Sequence, residues 1–313
     1  VAAKQVRAVN RLVLTGTPME NSVADLWSIM DFLMPSYLGG RREFRRRFER
    51  PIARDDEEGR KAQATLRRKV QPFLMRRLKA DVAKDLPPKI SRTATCGLSA
   101  DQEAVYRELL EDARRRLTDL VAEQGFDRSR MEVLRTLLRL RQACCHLDLL
   151  KMEGLRADKP SAKLDLFFEL LDEALDSGHR ILVFSQFVSM LTILRRELEE
   201  RELAYCYLDG ATKNRLDVVR AFNTRRDIPL FLISLKAGGT GLNLTGADTV
   251  IHFDPWWNPA VEDQATDRAY RIGQKKTVYS IKLITRGTVE EKVVEMQRRK
   301  QAMIDATVAK SEP

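Results

Sequence analysis

The sequence predicts an α/β fold, in which a parallel sheet is flanked by helices, with a helical insertion ahead of the sheet. Two observations support this prediction. From Ser161 onward, short apolar runs alternate with helical segments, and strands that alternate with helices form parallel sheets with right-handed crossovers. Between residues 39 and 160, by contrast, the apolar residues follow helical spacing and strand patterns are scarce.

The first 38 residues predict one strand and one helix. Residues 11–14 (Arg-Leu-Val-Leu) have the pattern of a short buried strand, which leads into a turn at residues 15–18 (Thr-Gly-Thr-Pro). Asn21 or Ser22 is suited to cap a helix that ends before Pro35. One strand and one helix do not make a domain, so we expect this segment to be the end of a fold that begins upstream.

The middle of the chain, residues 39–160, predicts a helical insertion. Residues 41–50 contain six arginines, with Phe44 and Phe48 four positions apart, and this spacing is typical of an amphipathic basic helix. Residues 55–59 are expected to form an acidic loop. Further helices are predicted at residues 60–84 with an interruption at Pro72, at 100–123 behind the cap residue Ser99, and at 129–146.

The rest of the chain predicts the sheet and a charged terminal helix over residues 288–308. Polar residues follow the strands, at the edge where ligands of a parallel sheet gather. The predicted strands are 180–184, 204–208, 230–234, 249–253 and 278–284, and the helices that flank them lie near 162–177, 188–201, 213–223 and 260–271.

The net charge of +10 arises entirely in the middle segment. Residues 39–160 hold 30 basic and 20 acidic side chains, whereas the two signs balance in the segments on either side. A basic excess of this size favours a polyanionic partner, of which nucleic acid is the commonest. The alternative interpretation is a solvated helical surface.

Composition also predicts the compartment. No apolar run reaches the ~18 residues that span a bilayer, and the first ten residues lack the pattern of a signal peptide. The cysteines form no CxxC pair, and Cys144 and Cys145 point apart on a helix, so we expect no metal site and buried, reduced thiols. These features predict an intracellular protein without a membrane partner, cytoplasmic in bacteria or archaea and nuclear in eukaryotes.

Gln264, Arg268 and Arg271 are spaced to lie along one face of the predicted helix 260–271. Arginine offers a planar fork for phosphate oxygens and keeps its charge when desolvated. Two arginines supplied from a second lobe suit the neutralisation of a departing γ-phosphoryl group. The alternative is a surface helix with an ion pair between Asp267 and Arg271.

Two loops after predicted strands are candidates for binding. Residues 234–246 are rich in glycine, which lets backbone N–H groups approach phosphate closely, although glycines also serve tight turns. Lys236 adds a positive charge there. Residues 254–259 (Asp-Pro-Trp-Trp-Asn-Pro) hold two tryptophans that are hard to bury together, so we expect one to pack and one to face a partner. The alternative places both in the core.

Several motifs, in their order along the chain, resemble those of Swi/Snf-type ATPases of helicase superfamily two. Tyr270 departs from the family's usual His and Leu147 from a frequent Pro, but neither position takes a direct part in the proposed chemistry. The motifs are residues 14–21 (Leu-Thr-Gly-Thr-Pro-Met-Glu-Asn), 182–187 (Leu-Val-Phe-Ser-Gln-Phe), 209–212 (Asp-Gly-Ala-Thr), 237–244 (Ala-Gly-Gly-Thr-Gly-Leu-Asn-Leu), 254–259 and 267–274 (Asp-Arg-Ala-Tyr-Arg-Ile-Gly-Gln), and further similar segments are 72–77 with 86–89, 140–146 and 288–300.

This resemblance implies a RecA-like parallel sheet, that of a P-loop NTPase-type second lobe, plus the helical insertion. The implied domains are the end of a first RecA-like lobe over 1–38, a helical protrusion over 39–160, the second lobe over 161–286 and a brace helix over 287–313.

The resemblance also implies roles for particular residues. Arg268 and Arg271 match paired arginine fingers, and Gln264 matches a residue that reads the nucleotide state. Residues that couple the nucleotide to DNA or to lobe motion are implied at Gly239, Gly241, Asn243, Thr15, Gly16 and Thr17. Residues that contact DNA are implied at Lys236, Gly238, Trp257, Ser185, Gln186, Gly210 and Thr212.

ATP and Mg²⁺ are the implied cofactors, and double-stranded DNA is the implied partner. The sequence contains no Gly-Lys dipeptide and therefore no GxxxxGK[ST] phosphate loop. The acidic pairs at 56–57 and 172–173 do not follow a buried strand upstream of Thr15, where a magnesium-binding motif is expected. We therefore expect an excerpt of a larger protein, with the magnesium ligands in a missing first lobe, and no DNA-stimulated ATP hydrolysis by this chain alone.

The function inferred from the sequence is that of the C-terminal part of an ATP-dependent translocase on double-stranded DNA. One alternative is a strand-separating DNA or RNA helicase, against which the double-tryptophan motif and the large insertion argue. Another is a non-catalytic nucleic-acid-binding or protein-binding module, against which the intact Gln264, Arg268 and Arg271 argue. Nucleosomes, RNA polymerase and other DNA-bound proteins all remain open as cargo.

Overall fold

The computed structural model describes residues 2–6, 8–16, 19, 22–54, 56–77, 79–124, 126–239 and 241–307. The chain forms two compact units. The first unit combines the residues up to 84 with 258–260 and those from 297 onward, and the second combines 85–257 with 261–296.

The first unit is helical over its described part. As predicted, Ser22 caps the first long helix, since its Oγ accepts the Ala24 N–H at 3.1 Å and Asp25 accepts the Ser22 N–H at 3.1 Å. The helices are α1 (Ala2–Gln5), α2 (Val23–Leu33), α3 (Arg41–Phe44), a π-helical turn (Arg45–Glu49), α4 (Arg50–Ile52), α5 (Glu57–Val70), a 3₁₀ turn (Gln71–Phe73) and α6 (Lys79–Val82).

The predicted amphipathic basic helix is confirmed. Phe44 and Phe48 are buried, with their ring centroids 5.3 Å apart, while most of the arginines between residues 41 and 50 are exposed. The two rings join a core with residues of α2 and α5, among them Leu26 and Leu66. Trp27 packs against this core, and its ring is held in place because the Nε1–H donates to the Gly39 carbonyl at 3.0 Å.

Two predictions for the first unit are wrong. Residues 11–14 do not form a buried strand, since Leu12 is 79% exposed and Leu14 is 87% exposed. A strand needs a neighbouring strand for its backbone hydrogen bonds, and none of the described residues supplies one here. In the expected acidic loop at 55–59, residues 57–59 are instead the start of α5, because the Asp56 carboxylate accepts the Gly59 N–H at 2.7 Å and caps the helix, while residue 55 lies outside the described residues.

The second unit contains a six-stranded sheet whose neighbouring strands are all parallel. The strand order is β1-β6-β5-β2-β4-β3, so the strands most central in the sheet, β5 and β2, are fully buried. The five predicted strands are confirmed. The strands are β1 (Lys89–Cys96), β2 (Ile181–Ser185), β3 (Tyr205–Leu208), β4 (Leu230–Ser234), β5 (Thr249–His252) and β6 (Val278–Thr285).

Strand β1 was not predicted from the sequence. It lies at one edge of the sheet and pairs with β6 in register from Lys89 opposite Val278 to Cys96 opposite Thr285. Most of its side chains are exposed, so it shows neither a continuous apolar run nor a clear apolar-polar alternation. Edge strands carry such a weak pattern because only part of their surface is covered.

The helices of the second unit match the predicted ones, except that α12 ends earlier than predicted. Ser99 caps α7 as predicted, and Gln102 completes a capping box with it, through hydrogen bonds of 3.1 and 3.2 Å. None of the described helices is long and apolar enough to cross a membrane. The helices that follow β1 are α7 (Ala100–Gln124), α8 (Phe126–Cys145), a 3₁₀ turn (Leu147–Leu150), α9 (Ala162–Asp176), α10 (Val188–Glu200), α11 (Arg215–Thr224), a 3₁₀ turn (Ala237–Gly239), α12 (Pro259–Thr266) and α13 (Val289–Thr307). The first two residues of α12 and the part of α13 from Gln297 onward belong to the first unit.

The sheet divides the core of the second unit into two layers. Alternate residues of β2 face opposite sides, with Val183 in one layer and Leu182 and Phe184 in the other. Helices α9 and α10 cover the first layer, through residues such as Phe167 and Met190, and α11 and α12 contribute to the second. This arrangement of helices on both faces is the one expected for a parallel sheet.

A buried ion pair joins the start of α9 to the start of α13. Lys163 and Glu290 are both fully buried, and the Lys163 Nζ lies 2.5 and 2.6 Å from the two carboxylate oxygens. The Thr285 N–H at the end of β6 donates to the same carboxylate at 2.8 Å. Burial alone would lower the pKa of Lys163, but the Glu290 carboxylate holds that pKa above its ordinary value, so the lysine stays charged.

Breaking this pair from one side should destabilise the second unit strongly. We expect Lys163→Met to lower the free energy of unfolding by about 3–5 kcal/mol, because it leaves the Glu290 charge buried and unpaired. The double variant Lys163→Met with Glu290→Gln keeps an acceptor for the Thr285 N–H and should recover most of that loss. Urea titration followed by circular dichroism measures both, and a double variant no more stable than the single one would contradict this explanation.

Candidate functional site

The parallel sheet brings four of the predicted binding segments to one edge. Strands β2, β3, β4 and β5 all run in the same direction, so the segments that follow them lie at the carboxyl edge. Ser185 ends β2, and the loops after the other three strands carry the remaining residues. These are Gln186 after β2, Gly210 and Thr212 after β3, Lys236 and Gly238 after β4, and Trp257 after β5.

Asp254 is a buried anchor at this edge. Its Oδ1 accepts the Ser185 hydroxyl at 2.5 Å and the Gln186 N–H at 3.3 Å, so the ends of β2 and β5 are tied together. Burial raises the pKa of Asp254, while the nearby Arg141 charge and the Ser185 hydroxyl oppose that rise. Ser185 is itself buried. Its hydroxyl therefore bonds to Asp254 inside the protein and does not face the surface.

Arg141, on α8, is a residue of this site that was not predicted from the sequence. It is only 1% exposed, and its guanidinium lies 3.6 Å from the Asp254 carboxylate. It donates to the Gln186 Oε1 at 3.1 Å and to the Pro255 carbonyl, and it lies 5.0 Å from the centroid of the Trp257 ring. One buried cation thus holds together two segments of the carboxyl edge, the loops after β2 and β5.

Sequence patterns could have pointed to Arg141 only through the similarity of residues 140–146 to a family signature. In the helical pattern of α8 an arginine is normally a surface residue, and nothing in the spacing marks this one as buried. The neighbouring Cys144 and Cys145 are fully buried, as predicted. Burial raises the pKa of both thiols, to about 12 for Cys144, so neither is a reactive thiolate at neutral pH.

The two tryptophans are held in different ways, and each is half-buried. The Trp256 ring packs against the second core layer. The backbone N–H of Trp256 donates to the Glu262 Oε1 at 2.6 Å. Trp257 lies over Arg141. Neither ring is fully buried, so the structure keeps both of them partly accessible at the carboxyl edge.

The glycines after β4 meet different constraints. Gly238 is buried, and a Cβ at this position would lie 2.8 Å from Cε1 of Phe184. Gly241 is exposed, and nothing lies within 4 Å of a Cβ built there. Gly239 belongs to the 3₁₀ turn, and Lys236 just before it is exposed. The close packing of Phe184 is therefore sufficient by itself to explain why position 238 is a glycine.

The loop after β3 is organised by Asp209. Its carboxylate Oδ1 accepts the Ala211 N–H at 2.9 Å, the Thr212 N–H at 3.1 Å and the Thr212 hydroxyl at 3.1 Å. Gly210 is exposed at the tip of this loop, and its carbonyl accepts the Arg215 guanidinium at 3.3 Å. The Thr212 hydroxyl is used inside the loop, while the backbone at Gly210 faces solvent.

Arg268 and Arg271 do not continue α12 as predicted. The helix ends at Thr266, and both arginines lie in the turns that follow. The turn is held against the second core layer of the second unit. The buried side-chain amide of Gln274 donates to the Ala247 carbonyl at 2.7 Å and to the Ala269 carbonyl at 3.2 Å. These tertiary contacts hold the chain in a turn where the spacing of Gln264, Arg268 and Arg271 had predicted a continuing helix.

The structure brings Arg268 next to Asn243. The Leu244 N–H donates to the Arg268 carbonyl at 2.9 Å, and Asn243, just before Leu244, is exposed. These residues lie where the chain returns to the start of β5, whereas Lys236 and Trp257 lie at the carboxyl edge. The predicted site residues therefore form two groups, one in the loops that follow β2 to β5 and one around the turn after α12.

The arginine pair has the electrostatics of an anion site. Arg268 and Gln264 are half-buried, and Arg271 is exposed. Burial and then the positive charge of Arg271 lower the pKa of Arg268, although Asp267 opposes this. Among the described residues, Arg271 forms no ion pair, so the alternative Asp267–Arg271 pair is not present. An additional anion close to both guanidinium groups would be favourable.

The remaining predicted residues belong to the first unit. Thr15 and Gly16 are exposed and lie in irregular backbone, and Thr17 lies outside the described residues. Within the part of the chain that the structure describes, no three His, Cys, Asp or Glu side chains are grouped so that they could hold a metal ion.

Comparison with sequence families and curated relatives gives consistent matches. Residues 1–149 match the SNF2-related domain, and residues 162–273 match the helicase conserved C-terminal domain. The putative ATP-dependent helicase/translocase YwqA of Bacillus subtilis is 41% identical over 98% of this chain and 33% of its own length. The TATA-binding protein-associated factor MOT1 of Saccharomyces cerevisiae is 36% identical over 98% of this chain and 19% of its own length. The chain thus spans about a fifth to a third of these relatives.

Solved structures show the same similarity. The SWI2/SNF2 ATPase C-terminal domain of Sulfolobus solfataricus is 33% identical, with a TM-score of 0.55 over 71% of this chain and 91% of that domain. The SWI2/SNF2 ATPase core of the same organism, solved in complex with double-stranded DNA, is 38% identical, with a TM-score of 0.60 over 98% of this chain and 64% of the core. The sheet of the second unit is therefore of the RecA-like type.

Two glycine substitutions should separate packing from exposure in the loop after β4. We expect Gly238→Ala to lower the free energy of unfolding by about 1–3 kcal/mol, because the new methyl group must displace Phe184 in a packed core. Gly241→Ala is the matched control and should change stability by no more than about 0.5 kcal/mol. Urea titration measures both. Equal stability of the two variants would show that packing does not dictate the glycine at 238.

Proposed function

The chain belongs to the SWI2/SNF2 family of ATP-dependent helicases, and we propose that it is the C-terminal part of a motor that uses ATP to translocate along double-stranded DNA. The observation that supports this most is that Arg268 and Arg271 lie in one turn, which the Leu244 N–H to Arg268 carbonyl bond holds beside Asn243, with no carboxylate of the described residues bound to Arg271. Such a pair suits a triphosphate, and its position beside Asn243 suits coupling between the nucleotide and the loop that follows β4.

We assign the segments of the chain as the resemblance suggests, with one change for β1. Residues 1–38 would end a first RecA-like lobe, 39–160 would be a helical protrusion, 161–286 the second lobe and 287–313 a brace helix. Strand β1 (Lys89–Cys96) lies within 39–160 but pairs with β6, so it would belong to the sheet of the second lobe. Because the sequence contains no phosphate loop, the lysine and the magnesium ligands for ATP would come from another part of the protein. Alone, this chain would then hydrolyse no ATP.

The second lobe would hold the nucleotide and the DNA at different places. Arg268 and Arg271 would neutralise charge on the departing phosphoryl group, with Gln264 beside them. Gly239, Gly241 and Asn243 would pass the nucleotide state to the loop after β4, and Thr15, Gly16 and Thr17 would pass it to lobe motion.

The carboxyl edge would meet the duplex. Lys236 is exposed, Trp257 is partly accessible, and the backbone at Gly210 faces solvent, so these three would contact the DNA backbone directly. Ser185, Gln186, Gly238 and Thr212 are constrained by contacts within the protein, and they would shape the surface that the duplex meets. Contacts of this kind are independent of sequence and sensitive to salt.

Known relatives leave the cargo open. MOT1 is named for its association with the TATA-binding protein, and another relative from Oryza sativa, 38% identical over 95% of this chain, is named DNA excision repair protein CSB. We propose a DNA-bound protein, such as a nucleosome or RNA polymerase, as the object that translocation would displace.

The proposal is tested on the full-length protein that contains this chain. We expect duplex DNA to stimulate ATP hydrolysis, and Arg271→Ala to lower kcat about 1,000-fold, because an arginine finger contributes roughly 10³–10⁵ to phosphoryl transfer. Arg107→Ala removes an exposed arginine that is paired with Glu103, and this control should keep full activity. Phosphate release measures the rates.

Two further assays on the same protein separate the competing functions. Displacement of a third strand from a triplex without separation of the duplex strands would support translocation, whereas separation of the duplex strands would indicate a helicase. Equal phosphate release by the wild-type protein and Arg271→Ala would overturn the assigned role of the arginine pair, and the absence of DNA-stimulated phosphate release by both would favour a non-catalytic binding module.

A further inference from the structure

We propose that the first unit carries a second surface for double-stranded DNA, an arginine stripe formed by Arg42, Arg46 and Arg50, which binds backbone phosphates without reading sequence. This rests on the proposed function, because that function supplies duplex DNA as the polyanion. The stripe lies outside every motif to which a DNA or nucleotide role has been assigned above.

The packing of the helical segment 41–52 determines that the arginine side chains of the stripe point away from the core. Phe44 and Phe48 are buried in the core of the first unit. Each arginine of the stripe is two residues away from a phenylalanine, and two residues correspond to roughly half a turn in either an α-helix or a π-helical turn, so the arginines point away from the core. All three are exposed.

The local acidic residues do not neutralise the stripe. Glu43 is paired with Arg47 at 3.0 Å, and Glu49 is paired with Arg41 at 3.0 Å. Arg42, Arg46 and Arg50 take part in no ion pair within the described residues, and Arg45 beside them is likewise exposed without one. The segment therefore presents uncompensated positive charge on a face that is held by the buried rings behind it.

The length of the stripe suits a nucleic-acid backbone. Positions 42, 46 and 50 are spaced at intervals of four residues, which places the outer two roughly 10–12 Å apart along the helix axis, the π-helical turn at Arg45–Glu49 being wider and shorter than an α-helical one. One strand of B-DNA carries a phosphate about every 3.4 Å of its axis, so the stripe can face about three consecutive phosphates. Arginine suits this role because its planar fork donates two hydrogen bonds to phosphate.

Salt dependence of duplex binding tests the stripe directly. Each phosphate contact adds about 0.9 to the slope of log K against log salt, so the loss of three contacts should lower the slope by about 2.7. Between roughly 50 and 200 mM salt, the 313-residue chain should therefore lose about 40-fold more affinity than its triple variant R42Q/R46Q/R50Q. Fluorescence anisotropy with a labelled DNA duplex of mixed sequence measures both.

A matched control separates the stripe from net charge. The triple variant R107Q/R115Q/R135Q removes the same charge from exposed helical arginines that are paired with Glu103, Asp112 and Glu132. Its slope should stay at the wild-type value, and R42K/R46K/R50K should restore most of the slope. Thermal melts of each variant verify that the fold is intact.

The outcomes distinguish this inference from the proposed function. A wild-type chain that binds no duplex at all would count against both. Wild-type binding with an unchanged slope in R42Q/R46Q/R50Q would overturn the stripe alone, as would an equal loss of slope in the control triple variant. Duplex RNA bound more tightly than duplex DNA, with the same dependence on the stripe, would reject DNA as the partner.

Discussion

The carboxyl edge of the sheet depends on one buried charge, Arg141. A desolvated guanidinium costs several kcal/mol unless it is paired and hydrogen-bonded. Arg141 is paired with Asp254 and donates to Gln186 and to the Pro255 carbonyl, while its Nε has no hydrogen-bond partner among the described residues. The same contacts fix the positions of groups that are proposed to approach DNA, with the Trp257 ring lying over the guanidinium. Replacing such a pair by apolar residues is often neutral for stability, so we infer that it is retained for the geometry it imposes.

Helix α12 links the two groups of site residues. Its first turn is tied to the double-tryptophan loop, because the Glu262 carboxylate accepts the Trp256 N–H, and its end leads into the turn that carries Arg268. The same turn is bonded to Leu244, next to Asn243. A change in the position of the arginines on binding a phosphate would therefore reach both the loop after β4 and the loop after β5. This short path gives the proposed coupling between nucleotide and DNA a physical basis.

Much of this organisation could be predicted from the sequence, because it rests on strong local patterns. Strands β2 to β6 are apolar runs bounded by turns. Ser22, Ser99 and Ser161 each precede a helical pattern, and each side chain accepts a backbone N–H of the first helical turn. Tertiary contacts decided the features that could not be predicted. The edge strand β1 has a weak apolar pattern, the turn after Thr266 is set by Gln274, and the burial of Arg141 follows from a partner more than a hundred residues away, Asp254.

The central claim is that Arg141 positions Trp257 for contact with duplex DNA, and a double-mutant cycle on the affinity of this chain for a DNA duplex tests it most directly. Arg141→Ala and Trp257→Ala should each weaken binding about tenfold, or about 1.4 kcal/mol. The double variant should be little weaker than either single one, because both remove the same contact. Losses that add in the double variant, or full affinity in folded Arg141→Ala, would contradict the claim.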